Sequence, residues 1–312
     1  MSITRAVLRF AAPPPKLEDY QRYLFLGPHP DDIEIGAGAT AAKLAAQGKA
    51  IRFVVCTDGR FGLTNAPAGT SPEELIPLRR EEAKHSAALL GVEDLRFLPF
   101  SDGGLYDCGE LLHAVAGEIA DFRPDVIFAP DPDVDSECHR DHRNVGEIAR
   151  QLACFSPYEE LMRGYGVSGA PVQALAYYMT ARPNRYVKTA GYFQRQLDSV
   201  FLCHVSQFPT GSPDARSIRL YLKLRSANFG LRCLCPAAEG FRVLGQTQMH
   251  CLPDAVSFIS FSGAALRSWA WGSRRQRNSP LLRRGTPSAW GYWRYGSAWP
   301  APAARPRRSC PP

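Results

Sequence analysis

Residues 23–32 read Tyr23-Leu24-Phe25-Leu26-Gly27-Pro28-His29-Pro30-Asp31-Asp32. Four consecutive large apolar residues fit a strand buried on both faces, and Gly27-Pro28 ends it. From Ile33 to Gln47 the chain holds helix-forming Ala, Lys and Leu, with Gly48 at the C-terminal end. A buried strand that turns at once into a helix is half of a strand–helix–strand unit, and Ile51–Cys56 supplies the second strand.

The pattern repeats downstream. Ser71-Pro72-Glu73-Glu74 offers an N-cap, a first-turn proline and an acidic first turn. Pro77 should interrupt that turn, so the main helix is predicted from there to Leu90, stopped by Gly91. Leu95–Leu98 reads as a third strand, Leu111–Phe122 as a helix and Asp125–Ala129 as a fourth strand. This alternation predicts an α/β fold: a Rossmann-like, doubly wound, mostly parallel sheet in a single domain. Beyond Arg150 the signal thins to a strand near Val172–Tyr178 and helices near Gly191–His204 and Ala215–Phe229. The predicted organisation is an N-terminal extension over 1–20, one folded domain over 21–250, and an irregular Arg/Trp/Pro-rich tail over 251–312.

Of the 312 residues 45% are hydrophobic, enough for a large core, yet no apolar run is long enough to span a membrane. Arg5, Arg9 and Pro13–Pro15 break the N-terminal apolar stretches, so no secretory signal is read and a cytoplasmic location is expected. The nine cysteines are then expected as reduced thiols, and Cys233-x-Cys235 lacks a second pair at zinc-finger spacing. The net charge of +7 belongs to the tail: Ser257–Pro312 has ten arginines and no Lys, Asp or Glu. Residues 1–256 keep 27 basic and 30 acidic residues, a net −3, which gives no support for a nucleic-acid-binding body. The tail also holds all five tryptophans and shows no periodicity. It reads as a segment translated from an altered reading frame or a recent extension. Because arginine with interleaved aromatics can grip single strands, the competing reading is a non-catalytic anion or nucleic-acid binder acting through that tail.

Two motifs carry chemistry. His29-Pro30-Asp31-Asp32 lies in the turn between the first strand and the first helix, and His139-Arg140-Asp141-His142 is expected in the loop that leaves the fourth strand at Pro130. In doubly wound sheets ligands bind outside the carboxyl ends of the strands, where both motifs fall. A catalytic zinc takes three protein ligands and keeps a position for water. His29 and Asp32, three apart on a turn entering a helix, can share one side. His142 can supply the third ligand, while Asp31 points elsewhere and is free to handle protons. Alone, a loop histidine is usually solvated and an Asp at a helix start is usually a cap. Two such motifs behind strands of one sheet favour a metal site. No Gly-x-Ser-x-Gly elbow and no dinucleotide fingerprint around Gly36-x-Gly38 compete with it.

With these motifs the sequence resembles the LmbE/PIG-L superfamily of N-acetylglucosaminyl deacetylases. Further matches are Thr57-Asp58-Gly59, Arg79-Arg80-Glu81-Glu82 with Leu90-Gly91, Asp102-Gly103-Gly104-Leu105 and Arg123-Pro124-Asp125-Val126-Ile127. His204-Val205-Ser206-Gln207-Phe208 and Ala238-Glu239-Gly240-Phe241 resemble late blocks of the bacillithiol-pathway branch, the N-acetylglucosaminyl-malate deacetylases. The match runs from Tyr23 to Leu244. It implies a Zn2+ ion, or another divalent metal, held by His29, Asp32 and His142. It implies Asp31 as general base, His139 as oxyanion stabiliser or general acid, and Asp141 as the carboxylate that orients a histidine. Pro28 before His29, Arg140 in a position where the family commonly has Pro, and the tail depart from the pattern.

The activity implied is removal of the acetyl group from an N-acetylglucosamine conjugate such as glucosaminyl malate. The nearest alternative is deacylation of another N-acyl amino sugar or natural-product intermediate. The partner is then a small molecule; neither a membrane nor a nucleic acid is expected, and a homo-oligomer is compatible with every feature. Arg79 and Arg80 are candidate contacts for a carboxylate or phosphate on the aglycone, against the plainer alternative of surface pairing with Glu81, Glu82 or Glu74. His204 is a candidate pocket residue, against a structural role.

Overall fold

The computed structural model describes Val7 and residues 11–251. Strand β1 (Arg22–Gly27) passes through a tight turn into helix α1 (Asp32–Ala46). β2 (Ala50–Thr57), α2 (Pro72–Leu90), β3 (Asp94–Phe100), α3 (Cys108–Phe122), β4 (Val126–Pro130) and α4 (Arg140–Phe155) follow in the expected alternation. Then come α5 (Glu159–Gly164), β5 (Ala174–Tyr178), β6 (Arg185–Lys188) and α6 (Phe193–Asp198), which runs into a π turn at Ser199–Cys203. The last elements are α7 (Pro213–Arg232), β7 (Ala238–Gly245) and α8 (Gln246–His250).

The seven strands form one sheet in the order β3-β2-β1-β4-β5-β7-β6. Strands β3 to β5 are parallel, while β7 runs antiparallel to both β5 and β6. Alternate residues feed two cores. Leu24, Leu26, Val54, Ile127, Leu175 and Tyr177 pack under α3 and α4 with Leu111, Val115 and Leu152. Tyr23, Phe25, Phe53, Phe128 and Tyr178 pack under α1 and α2 with Ile33, Leu44 and Leu90. Both faces are covered, which is why the parallel strands read as continuous apolar runs. Phe25 and Phe128 stack across β1 and β4 with ring centroids 4.3 Å apart.

The order places the topological switch point between β1 and β4. The chain builds from β1 outward to β3, then returns to lay β4 on the other side of β1, and the loops beyond these two strands diverge to leave a crevice. Both chemical motifs fall there.

Three expectations are corrected. Pro77 lies inside α2, which runs unbroken from Pro72. Ser71 and Glu74 close a reciprocal capping box (Ser71 N to Glu74 Oε2, 2.9 Å) and Leu75 is fully buried, so the first turn tolerates the one missing donor. The second motif is not a loop: His139 is the N-cap of α4, and Asp141 and His142 lie in its first turn. Finally α5, β6 and β7 carried no legible signal, and the expected helix from Gly191 to His204 is shorter, with the π turn in its second half.

Among the described residues no helix is long and apolar enough to cross a membrane, and the eight described cysteines are free thiols. Of the expected tail only Cys251 is described; residues 252–312, with every feature read into that segment, lie outside the described residues.

Candidate active site

The turn after β1 is held from two sides. The backbone and hydroxyl of Thr57, at the end of β2, both donate to the Pro28 carbonyl, at 2.9 and 2.8 Å. Asp31, the N-cap of α1, has φ 152° and ψ −20°, a backbone conformation that a side chain disfavours. Such strain persists only where the surroundings over-determine it, and it gathers at functional sites. The two adjacent carboxylates consequently have different partners: Asp32 faces the histidines and Asp31 faces Arg79.

The structure brings His29, Asp32 and His142 together. Asp32 Oδ2 lies 3.0 Å from His29 Nδ1 and 3.3 Å from His142 Nε2. Ligand atoms bound to one tetrahedral zinc are separated by roughly 3.3 Å, given metal–ligand bonds of about 2.0–2.1 Å. Each imidazole also turns its far nitrogen to a carboxylate: His29 Nε2 is 3.1 Å from Asp141 Oδ2, and His142 Nδ1 is 2.9 Å from Glu137 Oε2. A carboxylate behind each histidine is the arrangement that fixes the tautomer and aim of metal-binding imidazoles. Asp141 is itself fixed, accepting from the backbone N–H groups of Gly103 and Gly104 at 2.7 Å each. On donor type and spacing the cluster fits a divalent cation.

A ring nitrogen of His139 also comes within 4.8 Å of nitrogens of His29 and His142. Its side chain is 45% exposed, against 8% for Asp32, and it lines the cavity beside the cluster. The backbone N–H of Asp141 donates to His139 Nδ1 at 3.3 Å. A neutral ring that accepts at Nδ1 carries its proton on Nε2.

The charges follow the geometry. Burial works against ionised Asp32, but His142 and His29 hold its carboxyl well below the usual range. Burial likewise disfavours protonated His29 and His142, yet Asp32, aided by Asp141 and Glu137 respectively, raises them to about 9 and about 11. Burial would raise Asp141, but His29 and the Gly103 N–H bring it to about 2. Burial, with Asp32 adding to it, raises Asp31 above the normal carboxylate range against the pull of Arg79. Burial and the two neighbouring histidines lower His139.

A cavity of about 240 Å³ opens beside the cluster, lined by His29, Asp31, Phe61, Gly62, Arg79, Asp102, His139 and Gln207. Arg79 borders it, but it is 3% exposed and its guanidinium donates to Asp31, Pro30 O and Gly59 O. It therefore holds the site together and is neither a surface ion pair nor a free anion receptor. Arg80 lies away from the cavity, over the Phe97 ring at 5.4 Å. His204 has no exposure and faces Glu34 at 3.4 Å, so it does not line the cavity.

Glu137, Phe61 and Gln207 carried no role in the sequence reading. Glu137 could have been found as the carboxylate five residues before His142, in the segment that leads into α4. Gln207 and Phe61 meet the site only through tertiary contacts, as when Gln207 Nε2 donates to Gly62 O at 3.0 Å.

Comparison with known proteins places the chain among deacetylases. Residues 24–153 match the family described as PIG-L, GlcNAc-PI de-N-acetylase. The chain is 32% identical over 245 residues to the diacetylchitobiose deacetylase of Thermococcus kodakarensis, covering 76% of this chain and 88% of that one. It is 30% identical over 142 residues to a probable N-acetyl-alpha-D-glucosaminyl L-malate deacetylase 2 of Bacillus cereus, covering 44% of this chain and 63% of that one. The solved N,N'-diacetylchitobiose deacetylase of Pyrococcus horikoshii superposes with a TM-score of 0.70 at 31% identity, covering 80% of this chain and 92% of that one. With the two motifs, the doubly wound sheet and a relative matched over nearly its whole length, the chain belongs to the PIG-L/LmbE family of deacetylases.

Proposed function

We propose that this protein hydrolyses the N-acetyl group of an N-acetylglucosamine conjugate, with His29, Asp32 and His142 holding a divalent cation. The observation that carries the reading is the convergence of two imidazole nitrogens on one Asp32 oxygen, each imidazole backed by its own carboxylate. The mixed nitrogen and oxygen donors suit zinc. A zinc ion there supplies Lewis acidity, lowering the pKa of water toward about 7 and polarising a carbonyl.

The chain's own groups then divide the work. Asp31, its basicity raised by burial, takes the proton from the attacking water. The new C–O bond leaves a negative oxygen where the amide carbonyl stood, and the His139 Nε2–H donates to it. As the C–N bond breaks, Asp31 returns the proton to the nitrogen, so acetate and a free amine depart. Asp141 keeps His29 aimed, and Arg79 holds Asp31 toward the cavity. Both are positioning residues.

The test is amine release from a panel of N-acetylglucosamine conjugates, among them diacetylchitobiose and the malate and inositol conjugates, with and without a chelator. Chelator-sensitive release of acetate and amine in equal amounts is expected. Absence of release across the panel from cation-loaded protein overturns the reading.

A further inference from the structure

The cavity beside His29 is polar on nearly every side. His29, Asp31, Arg79, Asp102, His139 and Gln207 supply charged or hydrogen-bonding groups, and Phe61 is the one apolar side chain among the lining residues. Phe61 is nevertheless 47% exposed. A single exposed apolar side chain on a surface needs no explanation. Phe61 differs because it stands in the mouth of the site on a backbone pinned from several directions.

Its N–H donates to Asp102 Oδ2 at 3.2 Å and its carbonyl accepts from Leu63 N at 2.8 Å. On one side Gly59 (φ 65°) has its carbonyl held by Arg79 at 2.8 Å; on the other Gln207 holds Gly62 O at 3.0 Å. A Cβ on Gly62 would come within 2.8 Å of both Gln207 Oε1 and Arg79 Nη1, so the loop follows the chain as closely as the backbone allows. A Cβ on Gly103 would touch the Phe61 ring edge at 3.5 Å. The ring is therefore carried by the same residues that build the reacting end.

An aromatic face on a pinned loop beside a polar pocket suits a molecule that is polar at its rim and apolar on one face. A pyranose ring is such a molecule, with hydroxyls around the edge and axial C–H bonds on the face, and an aromatic ring gives it large contact area at little entropic cost. A short anionic aglycone has no such face. Resting on the deacetylase reading above, we propose that Phe61 is a specificity-determining residue: it stacks on the sugar ring linked to the reacting N-acetylglucosamine and selects saccharide aglycones.

The experiment compares N,N'-diacetylchitobiose with free N-acetylglucosamine on the wild type, Phe61→Ala and Phe61→Trp. Phe61→Ala should lower kcat/KM for the disaccharide about tenfold, through KM, with kcat within about twofold. The monosaccharide should change less than twofold, and Phe61→Trp should restore the disaccharide. Equal loss on both substrates, loss confined to kcat, or no loss overturns the proposal. Saturation-transfer NMR with the deacetylated disaccharide provides a readout that needs no turnover. The C–H protons of the second ring should be saturated in the wild type and not in Phe61→Ala. If they are dark in the wild type the stacking proposal falls while hydrolysis of other conjugates still stands; if they are bright in protein that releases no amine, the hydrolase reading falls and the Phe61 contact survives.

Discussion

Arg79 and Asp31 form a buried ion pair, Nη2 to Oδ2 3.0 Å, that fastens the middle of α2 to the strained turn after β1. The pair joins residues 48 positions apart, and the same guanidinium spans the carbonyls of Pro30 and Gly59.

Removing the arginine should therefore damage both fold and rate. Arg79→Met leaves Asp31 buried without its counter-charge, a loss on the order of 3–5 kcal/mol for breaking one side of a buried pair. Its melting temperature should fall, and kcat should fall about 10–100-fold while cation content stays near one per chain. Arg79→Lys should recover part of the rate. A Met variant with wild-type kcat would remove Arg79 from the site's machinery.

Asp31→Asn separates proton transfer from cation binding. The variant should keep the cation and lose about 10²–10⁴-fold in kcat, the usual worth of a positioned general base. His29→Ala should instead lose the cation. Elemental analysis of purified protein beside the amine-release rate distinguishes the two; near-normal turnover in Asp31→Asn would refute the base assignment.

Glu137→Gln tests a residue found only in the folded protein. Its carboxylate lies 2.9 Å from His142 Nδ1, and losing such a partner typically weakens cation affinity by about 10–100-fold. Competition with a coloured chelator reads this directly. Unchanged affinity would mean that His142 is aimed by something else.

Glu239, on β7, predicts a pH dependence of stability away from the cation cluster. Burial raises its carboxyl from 4.5 to about 7, against the N–H groups of Thr40 and Ala39 that favour the charged form. An acid with a higher pKa folded than unfolded binds more protons in the native state, so its contribution to stability is greatest below about pH 4.5 and is lost as pH rises toward 7. The slope is about 1.4 kcal/mol per pH unit, or about 3 kcal/mol over the window. Glu239→Gln has no such titration. Denaturant unfolding of both proteins at pH 4.5, 5.5 and 7 should show the wild type losing ground to the variant, and a constant difference would count against a buried, protonating Glu239.

Local chemistry made the first half of the protein legible. Tyr23–Leu26 is a strand because four large apolar residues need cover on both faces, and α1 and α4 provide it. The two histidine motifs announced themselves because donor atoms with metal spacing stood behind strands that a parallel sheet must bring together. Strand β7 was invisible for the opposite reason. All eight of its residues are buried, so no alternation marks it, and it contains Glu239 and Arg242, charges that belong inside only once Thr40 and Gln196, and Asp131, are there to meet them. The same holds for Arg79, Glu137 and His204. What each side chain is was written in the chain, but its role depends on which group lies within hydrogen-bond reach, and for partners such as Asp31 and Glu34, 48 and 170 residues away, only packing decides that.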